Sequence, residues 1–345
     1  MNHFIKQSPI TGLAGFGGGS SGLTVSGGGV ATAFAGGDRG LFSGGRIVHP
    51  SGSGSSAEDR IDYINITSTG NGTNFGDLTQ RRESNADNVT NGSRCCWGGG
   101  YSYGDSASYD IIDYVTSSST GNASDFGDLS TVQDNVSGCA DANIGRGFIG
   151  PSYQDMDQIE YITIDTTGDS ADFGTLTVGA HGSAATSDGI YGWWHGGRGS
   201  GGWGNATNVI GYLVTATLGN ASDWGDMNYS GYAYSCTCSV VDARIVQMGG
   251  MMSGDYMDEI AYYTTASAGN ASDFGDLTLG RSGAATTGNG TRAVCGGGYN
   301  PSLAGSTIYS EILDYITIAT TGNATDFGDY NSVCSHMGAN SGAAS

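Results

Sequence analysis

The chain has 345 residues, of which 63 are glycine, and its 12 basic and 33 acidic residues give a formal net charge of -21. Such an excess of negative charge repels a phosphate backbone, so we expect no nucleic-acid partner. Charged residues make up 13% of the chain and aromatic residues 10%. Disordered chains are usually highly charged and poor in aromatic residues, so this composition predicts a folded protein.

The first element along the chain is a glycine-rich leader, residues 1–29. Its apolar residues Phe16, Leu23 and Val25 stand isolated among glycine, serine and threonine. They are too few to form a core, so we expect an extended docking arm outside the folded domain. The leader has no apolar run of signal-peptide length. No stretch of the chain approaches the roughly 18 apolar residues of a membrane-spanning helix.

Residues 30–345 repeat one unit of about 50 residues, a period typical of propeller blades. The landmark of each unit is an aromatic residue before glycine, and a tyrosine stands 12 residues before each landmark. The landmarks are Phe75, Phe126, Phe173, Trp224, Phe274 and Phe327, and the tyrosines are Tyr63, Tyr114, Tyr161, Tyr212, Tyr262 and Tyr315. Six copies of a fixed spacing predict six equivalent structural units.

Each unit divides into four short segments with turn residues between them. A small-residue segment is followed by an apolar run ending in glycines, by an alternating segment around the tyrosine, and by the landmark segment. In "EILDYITIAT", for example, Ile312, Asp314 and Ile316 fall on one strand face and Tyr315 on the other. The pattern predicts an all-β fold, a six-bladed β-propeller of four-stranded antiparallel blades.

The end of the chain predicts how the ring closes. After the last landmark, "NSVCSHMGANSG" begins a further small-residue segment. We expect this C-terminal strand to complete the blade begun at the N-terminus. Residues 30–37, "VATAFAGG", also resemble a first strand, which gives seven first strands for six blades. One of them must be displaced or have another role.

The landmark segments are interpreted as structural. The aromatic side chain is expected to lie between neighbouring sheets, and the aspartate after the following glycine to accept backbone hydrogen bonds. Those aspartates are Asp77, Asp128, Asp226, Asp276 and Asp329. Calcium binding is the alternative, although the spacing lacks the several close oxygen ligands that calcium needs.

Constellations typical of enzymes are sparse in this sequence. The seven cysteines form no C-x-x-C pair, so we expect buried small residues, with a disulfide or metal site as the alternative. No paired histidines suit a copper centre, and no phosphate-binding loop or nucleophile elbow is present. We therefore expect no enzyme activity, no metal and no cofactor. The histidines are His3, His49, His181, His195 and His336.

The loops between the second and third segments vary most in length and are rich in tyrosine. Equivalent loops of a propeller emerge on one face, where tyrosine with glycine, serine and asparagine suits an adaptable binding surface. The predicted partner or glycan face comprises Tyr101, Tyr103, Tyr109, Tyr153, Trp203, Tyr256, Tyr299 and Tyr309. The alternative is that these tyrosines only cover the edge of the core. The sequence shows no polar cluster typical of a sugar site. At least one of Trp193 and Trp194, in a second strand, is expected to be buried.

The order of the four segments resembles kelch-type propeller repeats over residues 30–345. The aromatic landmark here stands 12 residues after the tyrosine, whereas kelch repeats place tryptophan a few residues after it. Residues 312–329, "ILDYITIATTGNATDFGD", and the leader "SPITGLAGFGGGSSGLTVSGGG" are similar to repeat proteins in the virions of tailed bacteriophages, including cyanophages.

The phage resemblance implies a virion structural protein in a tail, fibre or surface appendage. It implies several copies in an assembly, contacts with other virion proteins and a role in host attachment. A bacterial carbohydrate-binding propeller, similar to a lectin, is the alternative, and a host-surface glycan is the corresponding partner. A propeller enzyme is the third candidate.

Overall fold

The computed structural model describes residues 37–48, 55–200, 205–228, 236–241, 244–252, 254–301 and 309–342. The predicted docking arm, the extra first strand up to residue 36 and Trp203 lie outside the described residues. Every regular element described is a β-strand. The described part of the chain has no helix that is long and apolar enough to cross a membrane.

The strands form six small antiparallel sheets arranged in a ring, which confirms the predicted six-bladed β-propeller. From the axis outward, blade 1 consists of β27 (Gly338–Gly342), β1 (Arg39–Ser43), β4 (Arg60–Asn65) and β5 (Thr73–Asp77), and blade 2 of β6 (Val89–Thr90), β7 (Arg94–Gly98), β9 (Ala107–Thr116) and β10 (Ser124–Gln133). In the same order, blade 3 consists of β11 (Gly138–Asp141), β12 (Arg146–Ile149), β13 (Gln158–Thr163) and β14 (Ala171–Thr175), and blade 4 of β15 (Ala184–Ser187), β16 (Tyr191–His195), β17 (Val209–Val214) and β18 (Ser222–Asp226). Blade 5 consists of β19 (Cys236–Val241), β20 (Arg244–Met252), β21 (Asp255–Thr264) and β22 (Ser272–Asp276), and blade 6 of β23 (Ala285–Gly288), β24 (Arg292–Gly296), β25 (Ser310–Thr317) and β26 (Thr325–Ser335).

Three further strands lie in loops between second and third strands. The hairpin of β2 (Arg46–Val48) and β3 (Ser55–Ala57) leaves blade 1 and pairs with the end of β26 in blade 6. The short strand β8 (Tyr101–Ser102) pairs with the start of β9.

The C-terminal strand β27 lies in the same sheet as the first described strand. It pairs with β1 from Arg39↔Gly342 to Ser43↔Gly338. In the middle of β27, the Asn340 side chain donates to Cys96 O of blade 2 at 3.0 Å. From the other side, Thr287 of blade 6 donates to Asn340 O at 2.7 Å. The innermost strands contact one another in cyclic order, so β27 lies where the ring closes.

The hydrophobic core is divided into six clusters, one between each pair of neighbouring blades. Between blades 1 and 2, for example, Leu41 and Phe75 pack with Cys95 and Val115. The five phenylalanine landmarks are at most 3% exposed, whereas Trp224 is half-buried. Each landmark therefore lies between sheets, and the landmark of blade 4 is the most open.

The small and large side chains of the second strands fill these clusters. Trp193 and Trp194 are both buried, which confirms the expectation that at least one would be. Five cysteines are buried and form no disulfide with one another, as predicted for small core residues: Cys95, Cys96, Cys139, Cys295 and Cys334. The side chains of the other two cysteines lie outside the described residues.

The recurring phrase "TGNASDFGD" joins each blade to the next. The turn of blade 2 binds the outer strand of blade 1: Gly121 N donates to Phe75 O at 2.8 Å, and Ala123 N to Asp77 O at 2.7 Å. The Asn122 side chain accepts from Asp77 N at 3.2 Å. Glycine is needed here, because a Cβ on Gly76 would stand 2.2 Å from Gly121 O. The phrase recurs because each copy binds its neighbour's copy.

The role expected for the aspartate after glycine is corrected by these contacts. Asp77 takes part through its backbone, which both donates and accepts. The carboxylate that accepts a backbone N–H belongs to the aspartate before the aromatic residue: Asp125 accepts from Gly127 N at 3.1 Å, and Asp326 from Gly328 N at 3.2 Å.

A second contact between blades uses arginine. In blade 2, the Arg94 guanidinium lies 4.3 Å from the ring centroid of Tyr114, which meets Phe126 edge-on. The same guanidinium donates to Ile164 O of blade 3 at 2.7 Å. We call this arrangement the arginine clasp. The other clasps run from Arg39 to Ser117 O, Arg146 to Thr215 O, Arg244 to Ile318 O and Arg292 to Thr67 O. Blade 4 has Tyr191 at this position.

The two ends of the ring carry different connections. One end, the loop face, holds the loops between second and third strands and the connections from one blade to the next. The other end, the turn face, holds the turns between first and second strands and between third and fourth strands. This separation follows from antiparallel order, because alternate connections of an antiparallel sheet lie at opposite ends of its strands.

Candidate partner-binding face

Aromatic side chains from blades 5 and 6 meet on the loop face. The ring centroids of Tyr256 and Tyr299 are 5.4 Å apart, and so are those of Tyr299 and Tyr309. Tyr299 also forms isolated β-bridges to Tyr309 and Ser282, which hold its backbone. Edge-to-face and tilted pairs at this spacing stabilise each other beyond simple burial. The tyrosines are therefore held on a rigid base.

Arg46, at the start of β2, connects these tyrosines to those of blade 2. Its guanidinium lies 3.8 Å from the ring centroid of Tyr103, which meets Tyr101 edge-on at 4.9 Å. Burial raises the pKa of Tyr309, and the nearby Arg46 charge opposes that rise. We call the set Tyr256, Tyr299, Tyr309, Arg46, Tyr103 and Tyr101 the aromatic band. It crosses from blade 5 to blade 2.

Glu83, in the connection between blades 1 and 2, forms an ion pair with the band. The Nε atom of Arg46 is 3.6 Å from Glu83 Oε2, and the Glu83 side chain is 6% exposed. Burial raises the pKa of Glu83 to about 7, although the Arg46 charge works against this. The nearby charge of Asp134 adds to the rise.

A polar cluster lies beside the blade 2 end of the band. Ser108 donates to Asp134 Oδ2 at 2.6 Å, and Gln154 donates to the same oxygen at 2.9 Å. Next to Gln154, the exposed Tyr153 ring meets the His181 ring edge-on at 5.1 Å. Burial lowers the pKa of His181 to about 4, so this ring is neutral near pH 7. The cluster brings a hydroxyl, a carboxylate and an amide group together beside an exposed aromatic ring.

The predicted face residues are unequal in exposure. Tyr103 is 46% exposed and Tyr153 is 56% exposed, whereas Tyr309 is buried. Tyr109 donates to Asp105 at 2.9 Å and accepts from Gln80 at 3.1 Å. The other described members are half-buried: Tyr101, Tyr109, Tyr256 and Tyr299. Tyr309 thus covers the edge of the core, and Tyr103 and Tyr153 are the members open to a partner.

Sequence reasoning missed the polar members of this face. Arg46 and Glu83 lie 37 positions apart in different parts of the repeat, and no periodic signal links them. Asp134 and Gln154 likewise come from a blade connection and from the loop of the next blade. The one local signal near Arg46 is the glycine pair before it, which marks the start of the blade 1 loop.

The propeller axis opens on the loop face as a cavity of about 50 Å³. Five blade connections each contribute one residue with positive φ to its lining: Ser84, Asn135, Gly182, Gly283 and His336. Their backbones bond in sequence, for example from Ser84 N to His336 O at 2.7 Å. Burial raises the pKa of Asp87, which also lines the cavity, to about 8. A cavity of this size holds a few water molecules and excludes a sugar ring or a peptide.

Within the described residues, no group of three or more histidine, cysteine, aspartate or glutamate side chains could hold a metal ion. No protein-family model matches this chain, and no curated protein matches it either.

Proposed function

We propose that the chain is a binding propeller without enzyme activity that serves as a structural component of a phage particle, in a tail, fibre or surface appendage. Its loop face contacts another virion protein. The observation that carries the binding role is the aromatic band, which joins four blades on one face of a rigid ring. The virion setting rests on the sequence resemblance of residues 312–329 and of the leader.

The chemistry of the band supports a protein partner. Tyrosine and arginine dominate the energetics of protein interfaces, because both offer large apolar surface together with hydrogen-bonding groups. Tyr103 offers an exposed ring that Arg46 holds in place from one side. The ion pair with Glu83 fixes the guanidinium in turn. Little side-chain freedom is then lost on binding, which favours affinity.

Mass spectrometry of purified phage particles tests the virion setting. The expected result is this chain in fixed proportion to the other structural proteins. Absence of the chain from the particles would contradict the setting and leave the binding role standing.

Substitution tests the binding face within such particles. Replacing Arg46 and Tyr103 together by alanine should reduce incorporation or host adsorption. Thr321→Ala, at an exposed position on the turn face, is the matched control and should have no effect. Equal behaviour of the two variants would exclude the band as the contact.

A carbohydrate ligand is the second candidate. The observation that favours it is the polar cluster of Ser108, Asp134 and Gln154 beside the exposed ring of Tyr153. Sugar rings stack on aromatic faces while their hydroxyl groups bond to carboxylate and amide side chains. A glycan array with the full chain tests this, and Tyr153→Ala should abolish any signal. A signal that persists in this variant would place the sugar elsewhere.

A further inference from the structure

The first strand of blade 2 is interrupted beside the propeller axis. β6 has two residues, whereas the first strands of the other blades have four to six. Four residues, 85–88, separate Ser84 from β6, while a single residue separates Gly182 from β15 and Gly283 from β23. Asn88 within this segment has a φ of 57°. Such an irregular insertion before a strand re-aims side chains, in the way that a β-bulge does.

The inserted segment, residues 85–88, is polar. It reads Asn-Ala-Asp-Asn. In other connections the residue after the one with positive φ is small or apolar: Val136, Ser183, Ala284 and Met337. Among the described residues that line the axial cavity, Asp87 is the only carboxylate. Blade 2 therefore brings acidic and amide groups to a place where its neighbours bring small or apolar side chains.

The Asn85 side chain has an unused oxygen in this place. Asn85 lines the cavity and is 3% exposed. Its Nδ2 atom donates to Ser43 Oγ at 3.4 Å, which orients the amide. The Oδ1 atom is buried and accepts no hydrogen bond. A buried amide oxygen without a partner is costly, so a bound group is expected to satisfy it.

The Asp87 carboxyl group lines the same cavity and has no counter-ion among the described residues. Arg46, whose charge acts on the cavity-lining His336, is already paired with Glu83. Buried carboxylates in proteins are ordinarily paired with a cationic side chain or coordinate a metal ion. The cavity thus contains one negative group and one amide oxygen that can both act as ligands.

The dimensions of the cavity suit one ion with its water. A volume of about 50 Å³ brings the lining atoms close to a common centre and leaves room for a few small species. Beside Asp87, the Asn88 side chain donates to Ala185 O of blade 4 at 3.5 Å and so spans the axis. Calcium accepts carboxylate, amide and water oxygens in flexible geometry, whereas magnesium retains several waters of its own.

We infer that the axial cavity binds one calcium ion through the Asp87 carboxylate and Asn85 Oδ1, with water completing the coordination. Because a single carboxylate supplies the charge, we expect a dissociation constant of about 10⁻⁴–10⁻³ M. The site differs from the sequence expectation of no metal, and it is separate from the landmark aspartates. The inference is independent of the proposed function, which concerns a partner of the aromatic band.

Isothermal titration of calcium chloride into the full chain tests the site. A buffer of about pH 8.5 suits the experiment, because the pKa of Asp87 is about 8 and a proton would compete with the ion. Asp87→Asn should weaken binding at least about ten-fold, because it removes the charged ligand. Asp172→Asn is the matched control: it removes the same charge from an exposed position on the turn face and should bind as the unaltered chain does.

A second variant tests the amide ligand. Asn85→Val introduces the residue that follows Asn135 in the next connection, and it should also weaken binding, by several-fold. Circular dichroism should show every variant folded. Calcium at about ten to one hundred times its dissociation constant should raise the melting temperature of the unaltered chain by about 2–4 °C, and that of Asp87→Asn by much less.

Terbium, which occupies calcium sites, locates the ion. A Cβ on Gly338 would stand 2.6 Å from Asn85 Oδ1 and 2.8 Å from Trp97 Cδ1, so the Trp97 indole lies beside the amide ligand. Excitation of tryptophan should give terbium emission that calcium displaces. Trp97→Phe should remove most of this emission and leave the calcium affinity in calorimetry unchanged.

Four outcomes overturn the inference. If Asp87→Asn and Asp172→Asn bind calcium equally, binding is a diffuse effect of the net charge of -21. If Asn85→Val binds calcium as the unaltered chain does, the amide oxygen is no ligand. If magnesium or sodium binds as tightly as calcium, the site is not a calcium site. If no saturable binding occurs, the cavity holds water only.

Discussion

The junction of blades 2 and 3 and the junction of blades 4 and 5 are filled by different side chains at equivalent positions of the repeat. In the first, Arg94 covers the Tyr114 ring and bonds to the next blade. In the second, the Trp193 and Trp224 rings meet edge-on at 5.7 Å, and Tyr191 completes the cover. Both arrangements fill the junction between two blades. The arginine contact of the repeat can thus be replaced by aromatic packing while the ring of six blades is kept.

A deeper polar layer differs between junctions in the same way. Between blades 1 and 2, the fully buried Arg82 and Asp113 form an ion pair at 2.8 Å. Between blades 5 and 6, Arg281 and Asp314 form the equivalent pair at 3.0 Å. In blades 4 and 5, Gly211 and Ala261 stand where those aspartates are. Some junctions therefore depend on buried charge and others do not.

The largest expected effect comes from breaking a buried ion pair. Arg82→Ala leaves Asp113 charged and buried without its cation, which should lower the free energy of unfolding by about 3–5 kcal/mol. Denaturant unfolding followed by fluorescence measures this. Arg82→Met combined with Asp113→Leu is the control and should cost much less, because no charge stays buried. A cost below about 1 kcal/mol for the single variant would show that the pair is dispensable.

The landmark residues give the next comparison. Phe126→Ala removes a ring that is 3% exposed and should cost about 3–5 kcal/mol of stability. Trp224→Ala removes a half-buried ring and should cost less, because less area is taken from water. Thermal unfolding of both variants checks the ranking. The reverse order would mean that the blade 4 junction depends more on its landmark than the clasped junctions do.

Removal of one arginine clasp should have a moderate effect. Arg94→Met keeps an apolar cover over Tyr114 but loses the cation–π contact and the bond to Ile164 O, at a cost of about 1–2 kcal/mol. Arg81→Met is the comparison, since Arg81 is 62% exposed and pairs with Asp59 at the surface. That variant should lie within about 0.5 kcal/mol of the unaltered chain. If Arg94→Met and Arg81→Met lowered the free energy of unfolding equally, the clasp would stabilise the fold no more than a surface ion pair does.

A pH dependence is expected at the loop face. Glu83 has a pKa raised from 4.5 to about 7, so the folded chain holds this proton more tightly than the unfolded chain. Protonation of Glu83 therefore stabilises the folded chain at low pH, and this stabilisation is lost as the pH rises from 4.5 to about 7. Glu83→Gln should therefore flatten the fall of the melting temperature between pH 4.5 and 7. A slope identical to that of the unaltered chain would argue against a raised pKa.

The fold was predictable because its determinants repeat at fixed spacing. The six Tyr–landmark pairs mark the third and fourth strand of every blade, and the glycine pairs mark the end of the second. The partner of each clasp was not predictable, because the guanidinium of Arg94 bonds to a carbonyl 70 positions away. A single sequence offers no local sign of such a bond.

The candidate site was predictable only in outline. Strand order alone places the tyrosine-rich loops on one face, and Tyr101, Tyr103, Tyr256, Tyr299 and Tyr309 do meet there in the aromatic band. Exposure could not be read from the pattern, because it depends on which loop covers which ring. Tyr309 is buried and Tyr103 is open, although both belong to segments between a second and a third strand.

The pairing of β27 with β1 has a consequence for the rate and order of folding. The two strands are separated by about 300 residues of sequence, and contacts of such long range form slowly because a large loop must close first. Until residues 338–342 are available, β1 has an unpaired edge facing the axis. Chains interrupted before that point should present this edge to one another and aggregate, whereas blades 3 to 5 already contain all their strands.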